Sequence, residues 1–358
     1  MAGLKDLERH IREGKLSRRE LFGTAAKVGM GAAAASMLPV NSVLTASAAG
    51  KFPKRKVLWL TMVRTAFFVP VMIGEREASE FLGWETQFNA PDTYTPDAVV
   101  NIFMSYIEQK PDAISFAYVQ PKIFDAAIKK AREAGIFLIT FNTDADGRKE
   151  HGLAYVGQDM VYAGRVNGMQ AAMYAQQITG RKDGKIIIDN AIPGHSALEA
   201  RAKGTAEGVK AYNEKNGTNF VTEVLACSVN IEEYVAKVEA KYTADEKDIV
   251  AFAGVDSMTQ GIGVFFKARN LKGKIAGGGF DLDDPQLVQV KDGRLQWTIG
   301  QDPYSQGFVT TMLIWEALER QLTANDYVTA AEIVDASNID VIIKREALWK
   351  ERAKEVGY

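Results

Sequence analysis

Cysteine is almost missing: Cys227 is the single one in 358 residues. An intramolecular disulfide is therefore excluded, and so is a zinc site built on paired cysteines. Cys227 follows Val224-Leu225-Ala226, which predicts a buried apolar position. Histidine is nearly as scarce, and His10, His151 and His195 are scattered. The chain has no His-Glu-x-x-His, no Gly-x-Ser-x-Gly elbow and no Gly-x-x-x-x-Gly-Lys phosphate loop. Gly277-Gly278-Gly279 lacks the Gly-x-Gly-x-x-Gly spacing of a dinucleotide site. Asp281-Leu282-Asp283-Asp284 has the composition of a calcium loop, but Pro285 and the missing later glutamate break the pattern. No catalytic residue, metal or cofactor is expected. There is also no long basic run, and with a pI of about 6.1 no nucleic-acid partner is expected.

What the chain does have begins at the N-terminus. Leu16-Ser17-Arg18-Arg19-Glu20-Leu21-Phe22-Gly23 precedes a weakly apolar run rich in Ala and Gly that ends near Val40. Ala46-Ser47-Ala48 then supplies a small-residue cleavage pattern. Charged segment, apolar segment and cleavage site stand in the order of an export signal, and the paired arginines mark the twin-arginine type. Lys27 interrupts the apolar run, against a membrane span of about 20 apolar residues. Residues 1–48 are expected to be a twin-arginine signal peptide, with the mature protein in the periplasm.

From residue 56 onward the pattern changes to alternating strands and helices. Val57-Leu58-Trp59-Leu60-Thr61-Met62 is a near-continuous apolar strand of the kind covered on both faces in a parallel sheet. Strands are predicted near 84–88, 113–117, 136–142, 153–157, 185–189, 221–226, 248–253, 274–281 and 295–301, with helices between most of them. Thr95-Pro96 reads as a helix cap and first turn. Pro121 is expected to open another helix, and Ser196-Ala197-Leu198-Glu199 reads as a capping box. The charged stretch from Arg345 to Val356 reads as a solvated helix. About ten strands exceed one small sheet, so the fold class is α/β with two Rossmann-like parallel-sheet lobes.

Polar residues recur at the predicted strand ends: Asn142 with Asp144, Gln158-Asp159, Asp189-Asn190, Asp256, Asp281 and Gln301. In open α/β sheets that edge binds ligands. Carboxylates and amides suit the hydroxyl groups of an uncharged polyol. Phe67, Phe68 or Tyr304 could pack on the C–H face of a sugar ring. Each such Asp or Asn could equally be a turn former or a helix cap.

Four features together resemble the ribose-binding branch of the type I periplasmic sugar-binding proteins, receptors of ABC importers. They are Thr61 followed by Phe67-Phe68, the run Ile139 to Asp144, Gly279-Phe280-Asp281, and Asp292-Gly293 with Thr298-Ile299 and Gln301. The resemblance implies a three-segment hinge with crossings near Gln158, Gln301 and Asp335. One lobe would hold residues 49–158 and 302–335, the other 159–301 and 336–358. It implies ligand contacts at Phe67, Phe68, Asn142, Asp281 and Gln301. Glu199, Asn230 and Val255 fall on contact positions with other side chains than ribose receptors carry, and Arg201 lies two residues beyond Glu199. Ribose itself is therefore not implied. The expected partners are a small-molecule sugar or polyol and a membrane ABC permease, with the protein a monomer. A periplasmic receptor for chemotaxis or two-component signalling would use the same cleft.

Export is predicted to depend on Arg18 and Arg19. The variant Arg18→Lys/Arg19→Lys should accumulate as uncleaved precursor in the cytoplasm, read by fractionation and immunoblotting. Normal appearance of the mature protein outside the inner membrane would rule out the twin-arginine route.

Overall fold

Two six-stranded sheets, each sandwiched between helices, build the molecule. The structure is a computed structural model and describes residues 52–120 and 122–358. The expected signal with Arg18 and Arg19, and the expected helix start at Pro121, lie outside the described residues.

The first sheet holds β1 (Lys56–Leu60), β2 (Glu85–Asn89), β3 (Ala113–Phe116), β4 (Phe137–Phe141), β5 (Tyr155–Gln158) and β11 (Tyr327–Thr329). Their order is β11-β5-β4-β3-β1-β2, and every pairing is parallel. The second sheet holds β6 (Asp183–Asn190), β7 (Asn219–Ala226), β8 (Ile249–Gly254), β9 (Ala276–Phe280), β10 (Trp297–Gly300) and β12 (Glu332–Asp335). Its order is β12-β10-β9-β8-β6-β7, the same winding, with β12 alone antiparallel. The order reverses beside β1 in one sheet and beside β6 in the other. These are the switch points where crevices open at the carboxyl ends of strands.

The apolar runs predicted buried strands because both faces are covered. In β1, Leu58 and Leu60 face α2 (Pro96–Glu108) and α3 (Asp125–Glu133), packing with Phe103, Phe116 and Phe124. Val57 and Trp59 face α1 (Val69–Leu82) and α9 (Pro303–Arg320), packing with Val71, Phe141 and Ile314. The second sheet is covered on one side by α4 (Met160–Thr179) and α5 (Ser196–Asn216). On its other side lie α6 (Ile231–Asp245), α7 (Gln260–Arg269), α8 (Asp284–Lys291) and α10 (Ile339–Arg352).

Local signals held in part. Thr95 caps α2, its hydroxyl accepting from the Ala98 N–H at 3.1 Å. The capping box at Ser196 does not form, because His195 precedes the helix and makes no side-chain cap. Glu199 instead accepts from the Gly194 N–H at 2.9 Å and from Asn190 at 3.0 Å. The third crossing falls between Thr329 and Glu332, not near Asp335, because β11 pairs with β5 and β12 pairs with β10. Both are edge strands, mostly exposed or half-buried, and lack the continuous apolar run that marked the central strands. The C-terminal helix begins at Ile339, with Ile339 and Ile342 buried, so it is more than a solvated face. Cys227 is buried as expected, and burial pushes its thiol up.

The helices cross on glycines. A Cβ at Gly168 of α4 would collide with the Thr205 carbonyl oxygen of α5, and one at Gly307 of α9 with the Val71 carbonyl of α1. In both contacts the obstacle is backbone, which cannot rotate away. Gly168→Ala should therefore destabilise the fold by about 1–3 kcal/mol through overpacking. An unchanged urea midpoint would refute the close helix approach.

Candidate functional site

A cavity of about 730 Å³ lies between the two sheets, against the carboxyl ends of their strands. That volume falls in the range typical of small-molecule sites. The first lobe contributes Met62 and Phe67 to Pro70, together with Asn142 and Thr143. Met160, His195, Leu198, Arg201, Asp256 and Asp281 to Pro285 come from the second, and Gly300 and Gln301 from a crossing.

Asn142 and Asp281 occupy matching places, each the first residue after the third strand in its sheet's order. Both adopt left-handed backbone, φ 62° and 72°, which Asn and Asp tolerate better than other side-chain-bearing residues. This turn aims their side chains across the strand ends. Asn142 donates to Gln306 at 3.0 Å and accepts from Thr143 at 3.1 Å. The Asp281 carboxylate accepts from the Gln301 amide at 2.6 Å. Burial pushes the Asp281 carboxyl up, while Arg201 and Gln301 pull it back. Asp281 does not cap α8, whose preceding residue is Asp283.

Arg201 is buried on α5 with its guanidinium 4.0 Å above the Phe280 ring. It donates to the Val255 carbonyl and to the Gln158 side chain, both at 3.0 Å. Its Nε has no partner, and neither has Gln301 Oε1 or His195 Nδ1, all three buried. Burial, with Arg201 adding to it, holds His195 below its ordinary range, so the ring is neutral at neutral pH. Phe67 meets Phe68 edge-on, with centroids 5.0 Å apart. Phe68 is buried against Phe88 and Phe141, so it anchors the core while Phe67 stands nearer the opening.

Seven of the residues singled out from sequence thus border one cavity: Phe67, Phe68, Asn142, Arg201, Asp256, Asp281 and Gln301. Three do not. Asp144 is held by Arg148 at 2.7 Å, and Arg148 also clamps Asp326 with two donors. Glu199 is spent on Gly194 and Asn190, and Asn230 caps α6 through Glu232 and Glu233. Each follows the ordinary chemistry of turns and caps. Val255 is buried and faces the core with Ile188 and Leu198. Gly277, Gly278 and Gly279 make room for Phe266, Trp297 and Thr259, not for a ligand. His195, Met160, Asp283 and the C-terminal Trp349 border the cavity without having been singled out. Only His195 carried a signal, its place just after a strand and just before a helix.

Among the described residues no group of His, Cys, Asp and Glu could hold a metal ion, and no helix is long and apolar enough to cross a membrane.

Burial also raises Asp256, to about 6, although its carboxylate accepts from the Ala191 and Met258 N–H groups. Between about pH 4 and 6 the folded chain keeps a proton that the unfolded chain has released. This contribution to stability is complete below about pH 4 and is lost as pH rises through 6. Asp256→Asn should therefore flatten the fall in stability over that window. Urea midpoints taken across it check the slope, and an unaltered slope counts against the assignment.

Comparison with known proteins agrees with the two-sheet fold. The chain is 26% identical over 278 residues to the xylose/arabinose-binding protein XylF of Sulfolobus acidocaldarius, a match over 74% of this chain and 66% of that protein. It is 23% identical over 271 residues to the fructose import binding protein FruE of Bifidobacterium longum, covering 74% and 79%. An ABC transporter solute-binding protein of Burkholderia graminis, solved in complex with D-arabinose, has the same fold. Its TM-score is 0.71 at 21% identity, over 82% of this chain and 97% of that one. Residues 58–322 match the periplasmic binding protein domain family, and the chain belongs to that family.

Proposed function

We propose that this protein is the periplasmic receptor of an ABC importer and binds a monosaccharide or sugar alcohol between its lobes. The cavity wall carries the reading. Buried donors and acceptors without partners, Arg201 Nε, Gln301 Oε1 and His195 Nδ1, stand with the Asp281 carboxylate around one space. Hydroxyl groups both donate and accept, so one uncharged polyol satisfies all of them. Phe67 and the methionines supply apolar surface for C–H groups. XylF and FruE are named for binding xylose or arabinose and fructose, which supports a sugar as the ligand class.

In this reading the protein is not an enzyme and needs no metal or cofactor. It leaves the cytoplasm by the twin-arginine route and works as a monomer that hands its sugar to a membrane permease. The lobes meet at three hinge crossings, after Gln158, near Gln301 and between Thr329 and Glu332. The ligand favours the closed form only through the extra contacts it makes there.

A thermal-shift screen against pentoses, hexoses and polyols tests the ligand class. A native-state ligand adds about 2.7 kcal/mol at one hundred times its Kd. No stabilisation by any of them defeats the reading. Asp281→Asn then tests the site, since asparagine keeps the left-handed turn and the Gln301 contact. Losing a charge-assisted bond should weaken binding by roughly tenfold or more. Calorimetric titration reads this, and unchanged affinity removes Asp281 from the site.

A further inference from the structure

The family match ends at residue 322, but the wall of the cavity does not. Glu346, Trp349, Lys350, Ala353 and Tyr358 also border it. α10 is rooted in the second lobe. Ile339 and Ile342 are buried in that lobe's core, Asp340 pairs with Lys291 at 3.1 Å, and Arg345 grips Glu332 of β12 with two donors. Its far end rests on the first lobe. Arg352 pairs with Glu77 of α1 at 2.7 Å, and the Tyr304 hydroxyl of α9 donates to the same carboxylate at 2.6 Å. Trp349 stacks on Tyr304, with centroids 5.4 Å apart and planes 14° from parallel, and Phe308 backs Tyr304. Between Trp349 and Arg352, Lys350 returns to the second lobe and pairs with Asp284 at the start of α8. Three residues within one helical turn thus hold both lobes.

We propose that Ile339–Tyr358 is a strap that joins the two lobes and closes one side of the cavity, with Trp349 as a specificity-determining residue. The ligand class rests on the sugar-receptor reading above. The half-buried indole is stacked on Tyr304 and offers a flat apolar surface to the same cavity that Arg201, Asp281 and Gln301 line. A single sugar ring can lay a C–H face on it while its hydroxyls reach that wall. A second ring joined to the first meets the strap.

The test uses the full chain with Trp349→Ala, with Lys350→Ala/Arg352→Ala, and with Leu348→Ala as an exposed neighbour for control. Calorimetry against the best monosaccharide and disaccharides containing it should show roughly tenfold weaker monosaccharide binding in Trp349→Ala. Discrimination against the disaccharides should narrow in the same variant, and Leu348→Ala should match the parent. X-ray scattering of the ligand-free protein should show a larger radius of gyration in Lys350→Ala/Arg352→Ala. Parent-like affinity and discrimination in Trp349→Ala would overturn its role. An unchanged radius of gyration would overturn the strap, whatever the ligand proves to be. If the parent binds no sugar, the sugar reading fails and the scattering result alone decides whether the strap exists.

Discussion

The Gln158 carboxamide joins the three places where the chain passes between its lobes. Gln158 ends β5 at the first crossing and is buried. Its Nε2 donates to the Gly300 carbonyl at 3.2 Å in the second crossing and to the Ala330 carbonyl at 3.0 Å in the third. Its Oε1 accepts from Arg201 in the cavity wall at 3.0 Å. Leaving buried groups of this kind without partners costs about 1–3 kcal/mol each, so the amide constrains all three crossings at once. Arg201 is in turn tied to the Val255 carbonyl and seated on Phe280. The hinge and the polar wall of the cavity therefore share one hydrogen-bonded unit.

The cavity is electrostatically uneven. Burial pushes Asp256 to about 6 and Asp283 to about 7, and Asp281 is raised as well. Behind them, buried Asp189 rises to about 8 even though the Tyr234 hydroxyl donates to it. Buried Arg201 attracts Asp256 and Asp281, and that attraction is smaller than the desolvation the two carboxyls suffer. Such concentrations of shifted groups are characteristic of functional sites.

The two lobes solve the same geometric problem with different residues. Asn142 and Asp281 make the same left-handed exit from equivalent strands, each strand-end N–H reaching the neighbouring strand, at Val156 and Ile299. One lobe thereby presents a neutral amide and the other a carboxylate. The apolar surface is divided as well, with Phe67 on the first lobe and Met160 and Leu198 on the second.

The repeating strand and helix periods by themselves determined the two-lobe α/β architecture, because hydrophobic burial on both faces of a parallel sheet leaves a continuous apolar signature. The strand-end polar residues marked the cavity edge for the same reason: chain direction alone fixes which end of each strand carries the crevice. The tertiary structure decided which of those residues reach it. Asp144, Glu199 and Asn230 have the same chemistry as Asp256 and Asp281, but nearby partners take their hydrogen bonds: Arg148 for Asp144, Asn190 and Gly194 for Glu199, and the first turn of α6 for Asn230. β11 and β12 were illegible because these edge strands are mostly exposed or half-buried, lack the apolar run of the central strands, and take their pairing from distant partners. Trp349 and Lys350 were illegible as wall residues because a charged helix has the same local pattern whether it faces water or bridges two lobes. That choice is made by contacts to Tyr304 and Asp284, dozens of residues away in the chain.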